Sequence, residues 1–414
     1  MGSGPWPLRP FAALLPGALL FLAPRCTEGP PPSTLEVIRS DSAGVEVVTT
    51  LGEDVELAWD LEPLFSLGGD EGGPGSFFRV DASMVGADQE GRLYVLSGSR
   101  VEVFDPKGAH LRSMGREGEG PGEIAMGGAL AVFPQGDVAV FDAGKRALVR
   151  FGPEGQTLSQ VRLEAWPVQD GSRRLGAAGE SLLVNQGRWL AEGPAEGDEM
   201  EVRLLELSPG EGDEGRVLAR LERPAGVMVR FPECGGGLMR PPILSAELVW
   251  DARTDRVAWS DGAGYRVEVV ASGEGRLSVR RDLLSVSVGP DLARAAVSEG
   301  MTMQFGAWAE PCHISPDEMV EGWGHAEELQ WVRWVALDPE GGLWVTRREV
   351  SDGEVRERVD VFAPDGAYRG TLPLGTPSPV LALPDDRVAW VEEDALEIQR
   401  LVVGRVIQEA EDLE

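Results

Sequence analysis

The sequence is poor in the residues that most enzymes use to hold metals and move protons. It contains three histidines (His110, His313, His325), three cysteines (Cys26, Cys234, Cys312) and one asparagine, Asn185. A three-histidine zinc site would need every imidazole in the chain. No Gly-x-Ser-x-Gly elbow marks a serine nucleophile, and no Walker loop or dinucleotide fingerprint marks a phosphate cradle. No Asp-x-Asp-x-Asp-Gly loop specifies calcium, so no cofactor is expected, although the acidic content is compatible with a carboxylate-bound Ca²⁺ or Mg²⁺. Basic charge is also scarce: 38 Lys and Arg stand against 69 Asp and Glu, a formal net charge of −31. Such a surface repels nucleic acid and anionic lipid, which excludes both as partners. The carboxylates are spread rather than clustered and read as solubility.

Long apolar runs are missing as well. Phe11 to Ala23 spans 13 residues, is interrupted by Pro16 and follows Arg9. It is too short to cross ~30 Å of hydrocarbon and reads as part of an export signal over residues 1–26. Cys26 stands where a lipoprotein carries its acylated cysteine and is a lipidation candidate, although Pro24 and Arg25 replace the usual small residue before it. Ordinary signal cleavage is the alternative. Gly29-Pro-Pro-Pro32 opens a linker over residues 27–40. The chain is therefore expected to be exported to the periplasm or cell surface, touching membrane only through such an anchor.

What the sequence has in abundance is glycine, 54 residues, and the glycines recur in register. Gly68-Gly-Asp-Glu-Gly-Gly-Pro-Gly-Ser-Phe77 and Gly115-Arg-Glu-Gly-Glu-Gly-Pro-Gly-Glu-Ile124 lie 47 residues apart, each behind an alternating run. A period near 45 marks a stack of one supersecondary unit. Six hairpin signatures follow, centred on Gly91, Gly136, Gly179, Asp255, Gly341 and Asp386. A second signature, Phe-x-Pro-x-Gly, ends at Gly108, Gly155 and Gly366, with weaker versions at Leu207–Gly210 and Val270–Gly273. Proline sets φ for the first corner and glycine supplies the positive φ that closes the bend between a third and fourth strand. Four strands per unit, six units and no helical period specify an all-β, six-bladed β-propeller over residues 41–407, followed by an acidic tail at 408–414.

Ring closure follows from a missing piece. The last unit, Val380 to Val403, offers three strands, and Leu64–Leu67 copies a fourth strand ahead of the first complete unit. Pairing them hides both edges, so an N-terminal strand completes the last blade. Leu35 to Thr50, with its Asp41-Ser-Ala-Gly44 turn, is expected to be an edge hairpin or an extra strand.

The turn spacing stretches twice, which places insertions near 224–243 and 289–330. Ser315-Pro-Asp-Glu318 reads as a helix start, with an N-cap serine, proline at N1 and glutamate at N3. Each insertion holds one cysteine, and export favours a disulfide between Cys234 and Cys312. It would close a loop of 78 residues. The second insertion also gathers Trp308, Trp323, Trp331 and Trp334. Binding-surface candidates are Trp308 and Trp323 together with His313 and His325, against the alternative that the tryptophans pack the insertion onto the ring. Trp259, Trp344 and Trp390 fall at matching positions of their hairpin strands and read as blade packing.

Together, the Gly-x-Glu-Gly-x-Gly-Pro-Gly-Glu turn, the Asp-x-x-Gly hairpins, the Phe-x-Pro-x-Gly bends and the exported N-terminus resemble the bacterial secreted six-bladed propellers related to NHL-repeat proteins. The resemblance covers about residues 40–405 and is weakest between Gly171 and Leu284. It implies a periplasmic or surface-exposed, often lipid-anchored propeller, usually without an assigned activity. Its catalytic relatives are sugar-lactone hydrolases with a carboxylate- and Asn-bound cation, and lyases with a His-bound zinc. The expectation is a non-catalytic binding or scaffold module for a protein, peptide or glycan. The alternatives are a metal-dependent hydrolase of the sugar-lactonase type and a structural envelope component.

Overall fold

A computed structural model of the chain describes residues 35–408, apart from 70–72, 74, 78, 163–174, 190–198, 208–214, 225, 272–274, 305–309 and 395–397. The expected export signal, Cys26 and Trp308 lie outside the described residues.

Each repeat forms a four-stranded antiparallel sheet, and in five of the six the strands follow one another in chain order. The first strands are Val85–Ala87, Gly127–Val132, Leu175–Ala178, Val249–Arg253, Val332–Leu337 and Leu381–Leu383. Each touches the first strand of the next blade, and the sixth touches the first, so the six form a closed inner ring. The hairpin signatures at Gly91, Gly136, Gly179, Asp255, Gly341 and Asp386 all fall between first and second strands. The Phe-x-Pro-x-Gly bends all fall between third and fourth strands. Gly68 and Gly115 each directly follow a fourth strand, where the chain leaves for the next blade.

The sixth blade is completed from the other end of the chain. We label the three N-terminal strands β1 (Glu36–Ser42), β2 (Val45–Leu51) and β3 (Trp59–Leu67). β3 pairs antiparallel with Gln399–Gln408, setting Phe65 against Val403 in the sheet that holds Trp390. β1 and β2 form a hairpin whose second strand runs parallel to Arg276–Arg281, extending blade 4 to six strands. Between them the backbone crosses blade 5, where Thr371 N donates to Val55 O and Leu57 N donates to Thr371 O, both at 2.8 Å. One N-terminal segment thus laces three blades.

The core lies between blades rather than within one. Six clusters of buried apolar side chains occupy the six joints, and one of them joins blade 6 (Leu381, Leu401, Val403) to blade 1 (Val85, Leu93, Phe104). Because side chains alternate across a strand, each blade feeds two clusters. In blade 5, Leu343 and Val345 face blade 4, whereas Trp344 faces blade 6. That two-sided burial makes the strands read as continuous apolar runs. Trp259 and Trp390 face the preceding joint, but Trp344 aligns with Ala258 and Ala389 and turns to the following one, beside Trp59 of β3 at 6.3 Å. The three tryptophans therefore all pack blades, with Trp344 one residue out of the expected register.

The turn glycines serve the joints too. At Gly341 a Cβ would sit 2.5 Å from an Arg256 guanidinium nitrogen, and at Gly91 it would sit 3.0 Å from one of Arg387. Both have φ near +80 to +95°, as the turn demands. The same glycine therefore supplies the left-handed corner and the room for an arginine from the preceding blade to lie over it.

A charged lock fastens the N-terminal lace. Asp360, on the third strand of blade 5, is fully buried and accepts hydrogen bonds from Tyr265 Oη (2.7 Å), Thr371 Oγ1 (2.5 Å), Arg281 Nη1 (3.2 Å) and Arg347 Nε (3.1 Å). The two arginines also bond Asp54, which precedes the strand-crossing segment: Arg281 Nη1 at 2.7 Å, and Arg347 through Nη2. Burial pushes the Asp54 carboxyl up, but the charges of Arg347, Arg281 and Arg358 and the Arg281 hydrogen bond outweigh it and hold it below the ordinary carboxylate value. A carboxylate depressed on folding contributes stability above its unfolded value of about 4, and that contribution fades as pH falls through the lower folded value. We expect Asp54→Asn to lower stability at pH 7 and to cost progressively less below about pH 4. Urea midpoints of both proteins across pH 3–7 test this; a gap independent of pH would contradict it.

Candidate functional site

Strand direction divides the ring into two faces. In all six blades the first strand ends and the second begins at one face, where the third and fourth strands of blades 1 to 5 also meet, while the strand ends that lead to the second-to-third turns and to the next blade lie at the other. We call these the hairpin face and the insertion face. Both insertions are blade-to-blade connections and so leave the ring on the insertion face. The first runs from 225 to 248, between blades 3 and 4, and the second from 282 to 331, between blades 4 and 5.

The insertions fold together. The first contributes the hairpin Val227–Phe231 with Gly236–Arg240, and the second contributes helix α1 (Pro290–Ala296), strands Met301–Met303 and Cys312–Ile314, and helix α2 (Pro316–Trp323). α2 starts as its sequence specifies. Ser315 Oγ accepts from Glu318 N at 3.3 Å, and Glu318 Oε2 accepts from Ser315 N at 2.8 Å. The hydrogen bonds from Ser315 hold the Glu318 carboxyl below its ordinary value. Phe231, Ile314, Met319 and Trp323 form a small core that includes Cys234 at its edge. Cys234 and Cys312 are joined by a disulfide, with Cα atoms 5.3 Å apart. Ile243 bridges to His325, and Ser287 to Glu328, tying both insertions to one another and to the base of the second.

This arrangement redistributes the expected surface residues. Trp323 is only 3 % exposed; it meets Phe231 edge-on at 5.7 Å and donates from Nε1 to Leu238 O at 3.3 Å. It is therefore the keystone of the insertion core and is withdrawn from any contact surface. Its spacing from Met319, i to i+4 on a short helix, is the signal that could have placed it inward. Trp331 is buried as well. His313 is exposed, with Nδ1 3.4 Å from Thr302 Oγ1, and His325 is half-buried, with Nδ1 donating to Ala326 O at 2.8 Å. The exposed groups of the first insertion include Met228, 52 % exposed, Arg230, Glu233 and Arg240. Alternation through Val227–Phe231 puts Met228 and Arg230 on the outer face.

The second concave feature is the axial channel, a cavity of about 280 Å³ lined by first strands and first turns of all six blades. Its wall is largely small and apolar, for a packing reason. At Gly86 a Cβ would lie 2.6 Å from Val132, and at Gly176 it would lie 2.6 Å from the Trp250 ring. Polar groups enter from the hairpin-face end. Asp88 is saturated by Arg92, Tyr94 and backbone N–H groups, and Asp251 Oδ2 accepts from Leu337 N at 2.8 Å. Arg253 ends the first strand of blade 4 and lines the cavity. Burial pushes its guanidinium pKa down, against the opposing pull of Asp251, Asp338 and Asp88.

The scarce polar residues are placed away from this channel. Asn185, on the second strand of blade 3, accepts from Trp250 Nε1 in the joint between blades 3 and 4. His110 lies on the outermost strand of blade 1, with Nε2 2.8 Å from Glu102 Oε2. Among the described residues, no three His, Cys, Asp or Glu side chains gather into a set able to hold a metal ion. Also among the described residues, no helix is long and apolar enough to cross a membrane.

No family model matches the chain, and no curated protein matches it. Solved structures do share the architecture at low identity. A Bacteroides fragilis protein classed as exported is 11% identical, with 87% of this chain and 99% of that one covered and a TM-score of 0.48. A gluconolactonase from Xanthomonas campestris is 13% identical over 89% of this chain and 100% of its own, at a TM-score of 0.35. A catalytically inactive virginiamycin B lyase from Staphylococcus aureus, solved with quinupristin, is 8% identical over 85% and 100%, at 0.33. At these values the assignment of six blades rests on the strand pairing in the chain itself.

Proposed function

We propose that the protein is an exported, non-catalytic propeller that presents its insertion face to a protein, peptide or glycan partner. The observation that carries this reading is the covalently tied pair of insertions. Ordering two long connections costs conformational entropy that the ring does not need for its own closure. Here they have a separate apolar core, a capped helix and a disulfide. A surface rigid before contact loses less freedom on binding, which is how a recognition platform gains affinity. The disulfide also fits an oxidising, extracytoplasmic compartment. Anchoring through acylated Cys26, and kinship with NHL-repeat propellers, belong to the same reading and rest on the sequence signatures.

The outer side of the hairpin supplies the contact groups, with Met228 as the apolar centre and Arg230 on the same face, and His313 is exposed on the second insertion. The test is capture from envelope extract by the mature, disulfide-intact chain, compared with Met228→Glu/Arg230→Glu. Retention of a partner by the first and its loss from the second, at equal thermal midpoints, supports the reading. Equal retention by both, or turnover of lactones by the purified chain with added Ca²⁺ or Mg²⁺, overturns it in favour of another face or of the hydrolase.

A further inference from the structure

One sheet edge of the ring is left open. In blades 1, 2, 3, 5 and 6 the outermost strand joins its neighbour through a register shift. Such bulges bend an edge out of line and blunt it against further pairing. Blade 4 differs. It ends on β1, which pairs with β2 in unbroken register from Glu36 opposite Leu51 to Ser42 opposite Val45. All seven residues of β1 are exposed, Val37 and Ile38 by 44% and 43%, and among the described residues no strand pairs with its outer side. The turn shows which backbone groups face outward. Ala43 and Gly44 both have positive φ, 55° and 82°, so Ser42 and Val45 close a two-residue turn as a hydrogen-bonded pair. Hydrogen-bonded pairs alternate from there. Ser40, Ile38 and Glu36 therefore bond to β2, whereas the N–H and C=O groups of Val37, Arg39 and Asp41 point away from it.

We propose that this edge pairs with β1 of a second copy of the chain, antiparallel about a two-fold axis at Ser40. A two-fold contact needs a surface complementary to itself. In this register Arg39 of each copy stands opposite Asp41 of the other, and Ile38 stands opposite Ser42. Moving the axis by one residue, to Arg39 or to Asp41, sets arginine against arginine or aspartate against aspartate, and like charges directly opposed across a sheet are destabilising. Exposed ion pairs are worth little in themselves. The charges therefore select the register, and the main-chain hydrogen bonds of Val37, Arg39 and Asp41 supply the affinity, as in other strand additions. A contact of one strand belongs to the small, weak class of interfaces. It lies on the outermost strand of blade 4 and does not depend on the partner proposed for the insertions.

The experiment is oxidative cross-linking of the full chain carrying Cys26→Ser, whose remaining cysteines form the 234–312 bridge. Ser40→Cys sits on the axis, where opposed residues have Cα atoms about 4.5 Å apart and within disulfide reach. Ile38→Cys and Ser42→Cys each stand four positions, ~13 Å, from their own counterparts. Neither should link to itself, whereas a mixture of the two should give the mixed dimer. Ser40→Cys is expected to link at least about tenfold faster than either flanking variant alone, because pairing raises the local thiol concentration. The parent should sediment as a monomer–dimer mixture that shifts with concentration. The proposal is overturned if Ser40→Cys links no faster than the flanking variants, if the mixture gives no mixed dimer, or if the parent stays monomeric at millimolar concentration. Slowed exchange of the Val37, Arg39 and Asp41 amides with an added alternating Val-Lys peptide, and not with rising protein concentration, would assign the edge to a foreign strand and overturn it likewise.

Discussion

Asp360→Ala is expected to destabilise the ring by roughly 3–5 kcal/mol, among the largest effects available from a single side chain. Asp360 is fully buried and takes hydrogen bonds from two arginines, a tyrosine and a threonine. Removing it leaves Arg281 and Arg347 inside the joint with Asp54, and Glu349 at 4.0 Å from Arg347, to answer two charges. Uncompensated buried charge, rather than the lost bonds, is the dominant cost. Because Arg281 lies on blade 4, Arg347 on blade 5 and Asp54 on the lace, the defect should loosen three elements together. Amide exchange should therefore rise in β2 and at Thr371 as well as around residue 360. Urea unfolding of the two proteins measures the loss. A change below about 1 kcal/mol would mean that the network is solvated in a way its geometry does not suggest.

Loss of the Cys234–Cys312 bridge is the second large effect. The bridge closes a loop of 78 residues that contains the four consecutive strands of blade 4. On the chain-entropy model, Cys234→Ser/Cys312→Ser should cost about 4 kcal/mol, mostly by freeing the unfolded chain. The folded insertions should survive locally, since Phe231, Ile314, Met319 and Trp323 still pack. The expected result is a lower urea midpoint for the variant, reproduced in the parent by a reducing agent, with amide exchange in α2 unchanged before the transition. Two titratable thiols in the native parent would refute the bridge.

Much of this fold was legible because its instructions are local. A glycine at a left-handed corner or a proline before a bend can be recognised within a handful of residues, and these turns fix strand order and blade count. Closure by β3 was legible from a shortage, a last unit one strand short and a spare copy upstream. The position of β1 and β2 was not. Their partner, Arg276–Arg281, lies some 230 positions away and pairs in parallel, which leaves no turn to read. The lock at Asp54 and Asp360 was hidden for the same reason. At the candidate site, the two cysteines and the helix start at Ser315 could be read from composition and capping chemistry, whereas for Trp323 composition left surface and packing roles both open, and its burial fits the packing alternative.

The most direct test of the closed ring uses the exposed, registered pair Glu62 and Arg405, which face each other across β3 and the third strand of blade 6. Opposed residues in antiparallel strands lie within disulfide reach. In Glu62→Cys/Arg405→Cys, oxidised while folded and mapped by peptide mass spectrometry, closure requires a 62–405 link beside the 234–312 link, and a raised thermal midpoint. Free thiols at both new positions in folded, oxidised protein would show that the N-terminal strand does not complete blade 6.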